Sequence, residues 1–280
     1  MFKLALTAGH YKYTAGKRCL KSLDPNETRE WVLNDRICDL IEEYMKAYDG
    51  IKIIRCDDTN GVEPITLRER TDKANNAGAD FYLSIHHNAG ICGGRGGGIV
   101  AYVYTKAKEE SKVWQKALYN ELIALTGLKG NRASPLASAN FHECRETFMP
   151  AVLLELGFMD SQTDVPVILT KDYAEKCARA VCNVVARRAG LKKKTASTSA
   201  EPAAKTESSQ KATDVSYTVK VKASALNIRK GPGTNYGTNG MITDKGVYTI
   251  VSESDGTGAS KWGKLKSGAG WISLDYTERR

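Results

Sequence analysis

From Lys192 to Thr213 the chain carries no large apolar residue. The run Lys192-Lys193-Lys194-Thr195-Ala196-Ser197-Thr198-Ser199-Ala200-Glu201-Pro202-Ala203-Ala204-Lys205 and its continuation bury nothing that offsets the entropy of ordering a backbone, so they read as a flexible linker. A chain of 280 residues interrupted there is limited to two separately folded parts. The expected division is a first domain at 1–190, a linker at 191–213 and a small second domain at 214–280.

The two parts follow different rhythms. In the first, strand-like apolar runs at 2–8, 51–55, 81–85, 98–104 and 151–156 alternate with helical patterns at 29–48, 67–77, 111–126 and 172–189. That alternation predicts an α/β fold with a mainly parallel sheet flanked by helices. Val32, Leu33, Ile37, Leu40, Ile41 and Tyr44 approximate the apolar stripe of an amphipathic helix. Asp172, with Glu175 three residues on, reads as a helix N-cap. After the linker, short strands at 217–221, 226–229, 241–243, 247–253, 262–266 and 270–274 are separated by glycine-containing turns, which predicts a small all-β barrel.

Composition excludes several classes. The seven cysteines are odd in number, widely scattered and free of any CxxC pair, which argues against a disulfide framework or a structural zinc knot and for buried reduced thiols. The apolar stretch at the N-terminus is too short for a signal peptide, and no run approaches the ~18 residues of a membrane span. The expectation is a protein made in the cytoplasm without its own signal peptide and without membrane insertion. Of 41 Lys and Arg, fifteen lie from residue 191 onward, against eight of 32 Asp and Glu, so most of the net charge of +9 belongs to the tail half. Such a bias suits a polyanionic partner, nucleic acid or an anionic surface polymer, and equally a plain solvated lysine surface.

The chemistry-bearing residues sit at strand ends. The four histidines are His10, His86, His87 and His142, and Glu155 closes the apolar run 151–156. A carboxylate in such a strand costs several kcal/mol unless compensated. His10, His86 and Glu155 fall at the carboxyl ends of strands, where α/β sheets gather their sites, and Glu30 opens a helix that points back to that edge. Two imidazoles and one carboxylate leave a metal an open position for water, the ligand set of a catalytic zinc centre, with Glu155 free to move a proton. Spacing alone does not single this centre out, since no HExxH is present and a lone histidine after a strand is often structural.

Taken in order, Thr7-Ala8-Gly9-His10, Glu30-Trp31-Val32-Leu33-Asn34, Leu67-Arg68-Glu69-Arg70-Thr71-Asp72-Lys73-Ala74-Asn75, Gly78-Ala79-Asp80, Ser84-Ile85-His86-His87-Asn88-Ala89 and Pro150-Ala151-Val152-Leu153-Leu154-Glu155-Leu156-Gly157-Phe158 resemble the zinc-dependent N-acetylmuramoyl-L-alanine amidases of the amidase-3 type, found in autolysins and phage endolysins. The resemblance implies that His10, Glu30 and His86 hold Zn²⁺ and that Glu155 is the catalytic acid/base. The implied reaction cleaves the amide between N-acetylmuramic acid and L-alanine in peptidoglycan. Tyr11 stands where the family has glycine, so the following loop is expected to take its own course. Glu27, one turn from Glu30, is the competing ligand; Glu30 is preferred for its spacing to Asn34 and Ile37. Neighbouring side chains on a strand diverge, which makes His87 a cleft wall or a hydrogen-bond partner. Arg145 is expected either to bind a stem-peptide carboxylate or to pair with a neighbour such as Glu143, and His142 either to line the cleft or to sit on the surface. The run Gly93-Gly94-Arg95-Gly96-Gly97-Gly98 is followed by a strand and no Lys-Ser/Thr, so it reads as a mobile rim loop and not a phosphate loop.

The tail segments Ala225–Tyr236, Trp262-Gly263-Lys264-Leu265 and Gly270-Trp271-Ile272 resemble a bacterial SH3 domain. That resemblance implies an SH3-like barrel that binds wall peptide or glycan, with Tyr236, Trp262 and Trp271 as aromatic contacts unless the tryptophans are core. The expected partner is the peptidoglycan of a Gram-positive wall, reached after release from the cell, with nucleic acid least favoured and the oligomeric state open. The competing functions are cleavage within the stem peptide, as endopeptidase or carboxypeptidase, and a non-catalytic wall-binding protein.

Overall fold

The computed structural model describes residues 1–194 and 213–280, apart from Asn235 and Gly237. Two compact units divide the chain, Met1–Ser197 and Thr198–Arg280. Most of the expected linker, 195–212, lies outside the described residues.

In the first unit β1 (Phe2–Ala8), β2 (Ile51–Arg55), β3 (Phe81–Asn88), β4 (Ile99–Tyr104), β5 (Leu136–Ala139) and β6 (Ala151–Phe158) form one sheet in the order β2-β1-β3-β6-β4-β5. Four pairings are parallel and one, β4 against β6, is antiparallel, so the sheet is mixed. The reason lies between β3 and β4. A parallel return needs a crossover of a dozen or more residues, usually a helix, and the short glycine-rich segment there has none.

Side-chain alternation divides the strands between two cores. Leu4, Leu6, Phe81, Leu83, Ile85, Val152, Leu154 and Leu156 face α1 (Glu30–Met45), α3 (Glu109–Thr126) and α6 (Lys171–Arg188). Ala5, Tyr82, Ala151 and Leu153 face the other layer, with Ala74 of α2 (Leu67–Asn76) and Cys144 of the four-residue α4 (His142–Arg145). One further short helix, α5 (Val165–Ile168), follows β6.

Helix starts explain some of the boundaries. Thr66 and Glu69 form a reciprocal capping box on α2. On α6 the cap is Thr170, whose hydroxyl accepts from the Tyr173 N–H, and not Asp172 as the sequence suggested. Thr170 keeps the extended backbone that a cap requires, while Asp172 sits in the first turn and pairs with Lys176 at 2.7 Å. After α6 the backbone turns back onto residues 47–49: Asp49 N–H donates to Lys192 O (2.9 Å) and Lys194 N–H to Ala47 O (2.8 Å). Among the described residues no helix is long and apolar enough to cross a membrane. All seven cysteines are unpaired, six buried and Cys92, against expectation, exposed.

The second unit is all-β. Strands β7 (Thr213–Val221), β8 (Leu226–Arg229), β9 (Thr238–Ile242), β10 (Val247–Gly256), β11 (Ala259–Leu265), β12 (Trp271–Ser273) and β13 (Thr277–Arg279) form an antiparallel sheet in the order β13-β7-β10-β11-β12-β8-β9. Val219, Val221, Leu226, Ile242, Ile250, Leu265 and Ile272 make its core. Trp262 is buried and is therefore no surface contact, whereas Trp271 is half-buried and Tyr236 exposed.

Candidate metal centre

The centre is assembled at the carboxyl end of the first unit's sheet, starting from β1. Gly9 continues the ladder by donating to Ile85 O (2.9 Å), and a Cβ on it would lie 2.1 Å from Cε1 of His86. Only glycine lets the His86 ring pack there. The next residue, His10, takes the left-handed conformation (φ 67°), uncommon for a non-glycine residue and sustained only where surroundings enforce it. Arg70 of α2 does so: its guanidinium donates to Thr7 Oγ1 (2.8 Å), Ala8 O (2.7 Å) and His10 O (2.7 Å). Asn34 of α1 holds the same turn through Gly9 O (3.2 Å).

On β3 the pleat sends neighbouring histidines to opposite faces. His87 goes toward α1, where its Nδ1 meets Asn34 Oδ1 at 2.8 Å. Burial, the largest influence on it, drives its pKa down to about 3, so it is neutral. His86 shares a column with Tyr82 and Ser84 and lies directly across from Glu155 on β6. Glu30 is delivered by the first residue of α1, fully buried, and accepts the His87 backbone N–H (3.2 Å).

His10, Glu30 and His86 converge so that one ligand atom from each lies within 4.8 Å of the others. Glu30 Oε1 is 3.1 Å from His86 Nδ1 and Oε2 is 3.3 Å from His10 Nε2. Donor atoms on a tetrahedral zinc with bonds of about 2.0–2.1 Å stand about 3.3 Å apart, so the three residues match the group in type and spacing. Among the described residues Glu30 Oε2, though buried, has no hydrogen-bond partner. An acceptor left facing an imidazole nitrogen in this way is suited to a shared cation.

The electrostatics agree. Burial opposes ionisation of Glu30, but His10 and His86 outweigh it and hold the carboxyl well below its usual range. Burial presses the His86 pKa down, yet Glu143 and Glu30 lift it to about 10. His10 moves the other way, lowered by burial. At Glu155 burial pushes the pKa up to about 7; His86 pulls against the rise and Glu30 adds to it. Lys17, half-exposed, places its Nζ 3.6 Å from Glu30 Oε2 at the mouth of the site.

Other expected residues lie apart from this cluster. Glu27 has left-handed backbone and pairs with Arg18 at 3.1 Å. His142 faces Thr71 of α2 (3.4 Å). Arg145 engages Glu146 (2.5 Å) and Asn140 (2.8 Å), not Glu143. The glycine run is tied down and not a free rim: Gly96, Gly97 and Gly98 donate to Thr163 Oγ1, Asn131 Oδ1 and Asp164 Oδ2. Sequence reasoning missed Glu143 altogether as a buried group. Arg70, Asn34 and Gly9 stand inside the family-like motifs, but the sequence assigns them no role, and α2 carries Arg68 as well, so nothing marks out Arg70.

Residues 4–187 match the family model described as N-acetylmuramoyl-L-alanine amidase. The sporulation-specific N-acetylmuramoyl-L-alanine amidase of Bacillus subtilis (strain 168) is 32% identical over 150 residues, 54% of this chain and 55% of that protein. The endolysin of Bacillus phage SPP1 is 31% identical over 128 residues, 46% of this chain and 47% of its own. The chain thus spans about half the length of the curated relatives it matches. The crystal structure of N-acetylmuramoyl-L-alanine amidase from Clostridium difficile 630 superposes with a TM-score of 0.61 at 23% identity, covering 68% of this chain and 97% of its own, which is a likeness of fold.

Proposed function

This chain belongs to the N-acetylmuramoyl-L-alanine amidase family, and on that premise we propose that it hydrolyses the amide between N-acetylmuramic acid and L-alanine in peptidoglycan, with zinc held by His10, Glu30 and His86. The observation that carries this reading is the convergence of those three side chains beside Glu155, with a buried acceptor that lacks a hydrogen-bond donor. When bound, zinc polarises the scissile carbonyl and makes water acidic enough to ionise near neutral pH.

The chain's own residues do the rest. Glu155 has a pKa near neutrality and an Oε2 without a hydrogen-bond partner, so it takes a proton from water and returns it to the leaving amine. Arg70 and Asn34 fix the His10 turn, and neutral His87 of β3 braces the Asn34 side chain at its Oδ1. Lys17 offers a cation to an anionic group of the incoming chain at the mouth. We assign Arg145 a stem-peptide carboxylate at the outer edge, reached by exchange of its Glu146 partner. The β unit is read as an SH3b-like wall-binding module, with Tyr236, Trp271 and Tyr276 among its accessible aromatics. Tethering it to the hydrolase raises the enzyme's local concentration on a Gram-positive wall, where it acts after release from the cell.

The test is digestion of purified Gram-positive walls by wild type, Glu155→Gln and His10→Ala, with mass analysis of the products and metal analysis of the proteins. The expected products are intact stem peptides beginning with L-alanine. Glu155→Gln should lower turnover by about 10²–10⁴-fold with zinc retained, and His10→Ala should lose both. New N-termini inside the stem peptide would establish the endopeptidase reading instead; wild-type turnover by Glu155→Gln would remove Glu155 from the chemistry.

A further inference from the structure

We infer that Glu143 is a positioning residue for the metal centre: its buried carboxylate, 3.7 Å from His86 Nε2, favours a proton on that nitrogen and leaves Nδ1 as the metal-binding nitrogen. This rests on the reading of His10, Glu30 and His86 as metal ligands.

The strand periodicity sets up the contact. Tyr82, Ser84 and His86 occupy alternate positions of β3 and so form one column on the face covered by α4. Glu143, second residue of α4 and only 4% exposed, lies over that column. It accepts from the Tyr82 hydroxyl at 2.6 Å and lies within 3.3–3.4 Å of Ser84 Oγ. Its Oε2 stands 3.7 Å from His86 Nε2, which makes no hydrogen bond among the described residues. Thr147 fixes the backbone beneath it by donating to Glu143 O (2.9 Å).

Two features separate this arrangement from a carboxylate that merely pins a short helix. A buried carboxylate is costly unless charge and hydrogen bonds compensate it, and no Lys or Arg forms an ion pair with Glu143 among the described residues; its ion-pair partner is His86. The two ring nitrogens are also distinguished by what they face. Nδ1 looks at Glu30, the other member of the donor cluster, and Nε2 looks away from it at Glu143. A ligating imidazole that donates its other N–H to a carboxylate has its tautomer and ring orientation fixed, and loss of that partner typically lowers metal affinity about 10–100-fold.

The experiment uses the full chain. Zinc affinity is measured by competition with a chromophoric chelator for wild type, Glu143→Gln and Tyr82→Phe, with thermal unfolding of each metal-free protein alongside. Glu143→Gln should weaken zinc about 10–100-fold, while Tyr82→Phe, which leaves the His86-facing oxygen in place, should change it by less than about threefold. If Glu143 only anchors α4, both variants will melt earlier and bind zinc as wild type does, which overturns the inference. Long-range ¹H–¹⁵N correlation of zinc-loaded wild type reads the tautomer directly, whether or not Glu143→Gln folds: a His86 with Nδ1 on the metal and a proton on Nε2 supports the assignment, and the reverse pattern refutes it. Wild type that binds no zinc would overturn the metal reading itself, a different failure from zinc binding indifferent to Glu143.

Discussion

Two regions of the first unit concentrate acidic side chains, and they resolve the repulsion in opposite ways. At the end of β2, Arg55 is paired with Asp57 (2.7 Å), Asp35 (2.5 Å), Asp39 (2.9 Å) and Glu42 (3.1 Å). Asp57 is fully shielded and Arg55 nearly so, but Asp39 and Glu42 reach solvent. At the end of β1 and β3, buried Glu30 and Glu143 and half-buried Glu155 surround two imidazoles, and Lys17, the lysine that reaches Glu30, is half-exposed. The first region carries its own guanidinium, although burial still pushes the Asp35 pKa up to about 6. In the second, Glu30 leans on the imidazoles of His10 and His86, while Glu30 Oε2, Glu155 Oε2 and His86 Nε2 are buried without hydrogen bonds among the described residues, which suits the site to the proposed cation. Acidic clusters of similar composition thus surround an internal guanidinium in one place and, on the proposed reading, a metal position in the other.

The sharpest way to break this contrast is to remove the internal cation. Arg55→Met should destabilise the protein by about 3–5 kcal/mol, because Asp57 and Asp35 are left buried and uncompensated. Chemical denaturation with and without zinc checks it; rescue of this variant by zinc beyond the increment seen in wild type would show that the two regions are not separate.

Acid should discriminate next. His87 has a folded pKa of about 3 against an ordinary value of 6.5, so its contribution is fully present above 6.5 and is lost as pH falls toward 3. By pH 4 this amounts to about 3 kcal/mol. The stability of His87→Asn should therefore fall less steeply than wild type between pH 6.5 and 4; an unchanged slope would mean that His87 is not held neutral. The smallest effect is the ligand's own. Zinc at a hundred times its Kd should raise stability by about 2.7 kcal/mol in wild type and in Arg55→Met alike, and by nothing in Glu30→Gln.

Much of the centre was legible because its residues fall at places the pattern marks. His10, His86 and Glu155 end apolar runs, and Glu30 opens an amphipathic helix. Glu143 was not, since it sits in the polar run His142-Glu143-Cys144-Arg145, which has no periodicity to reveal burial; only the fold lays α4 across the Tyr82 column. Arg70 was similarly invisible, because the carbonyls and hydroxyl that it holds in the β1 turn lie about sixty residues away. The alternation of strand and helix was read correctly, but the direction of β4 is a property of the connection before it, not of its own Val- and Tyr-rich sequence. Trp262 was ambiguous for a simpler reason: a short strand does not say which of its faces is covered.

The pairing of residues 192–194 with the turn at 47–49 has a mechanical meaning. That turn precedes β2, and β1, β2, β3 and β6 all run the same way, so it lies at the sheet end remote from His10, His86 and Glu155. A pull applied at Lys194 would meet backbone bonds beside an edge strand, at the end of the sheet away from His10, His86 and Glu155.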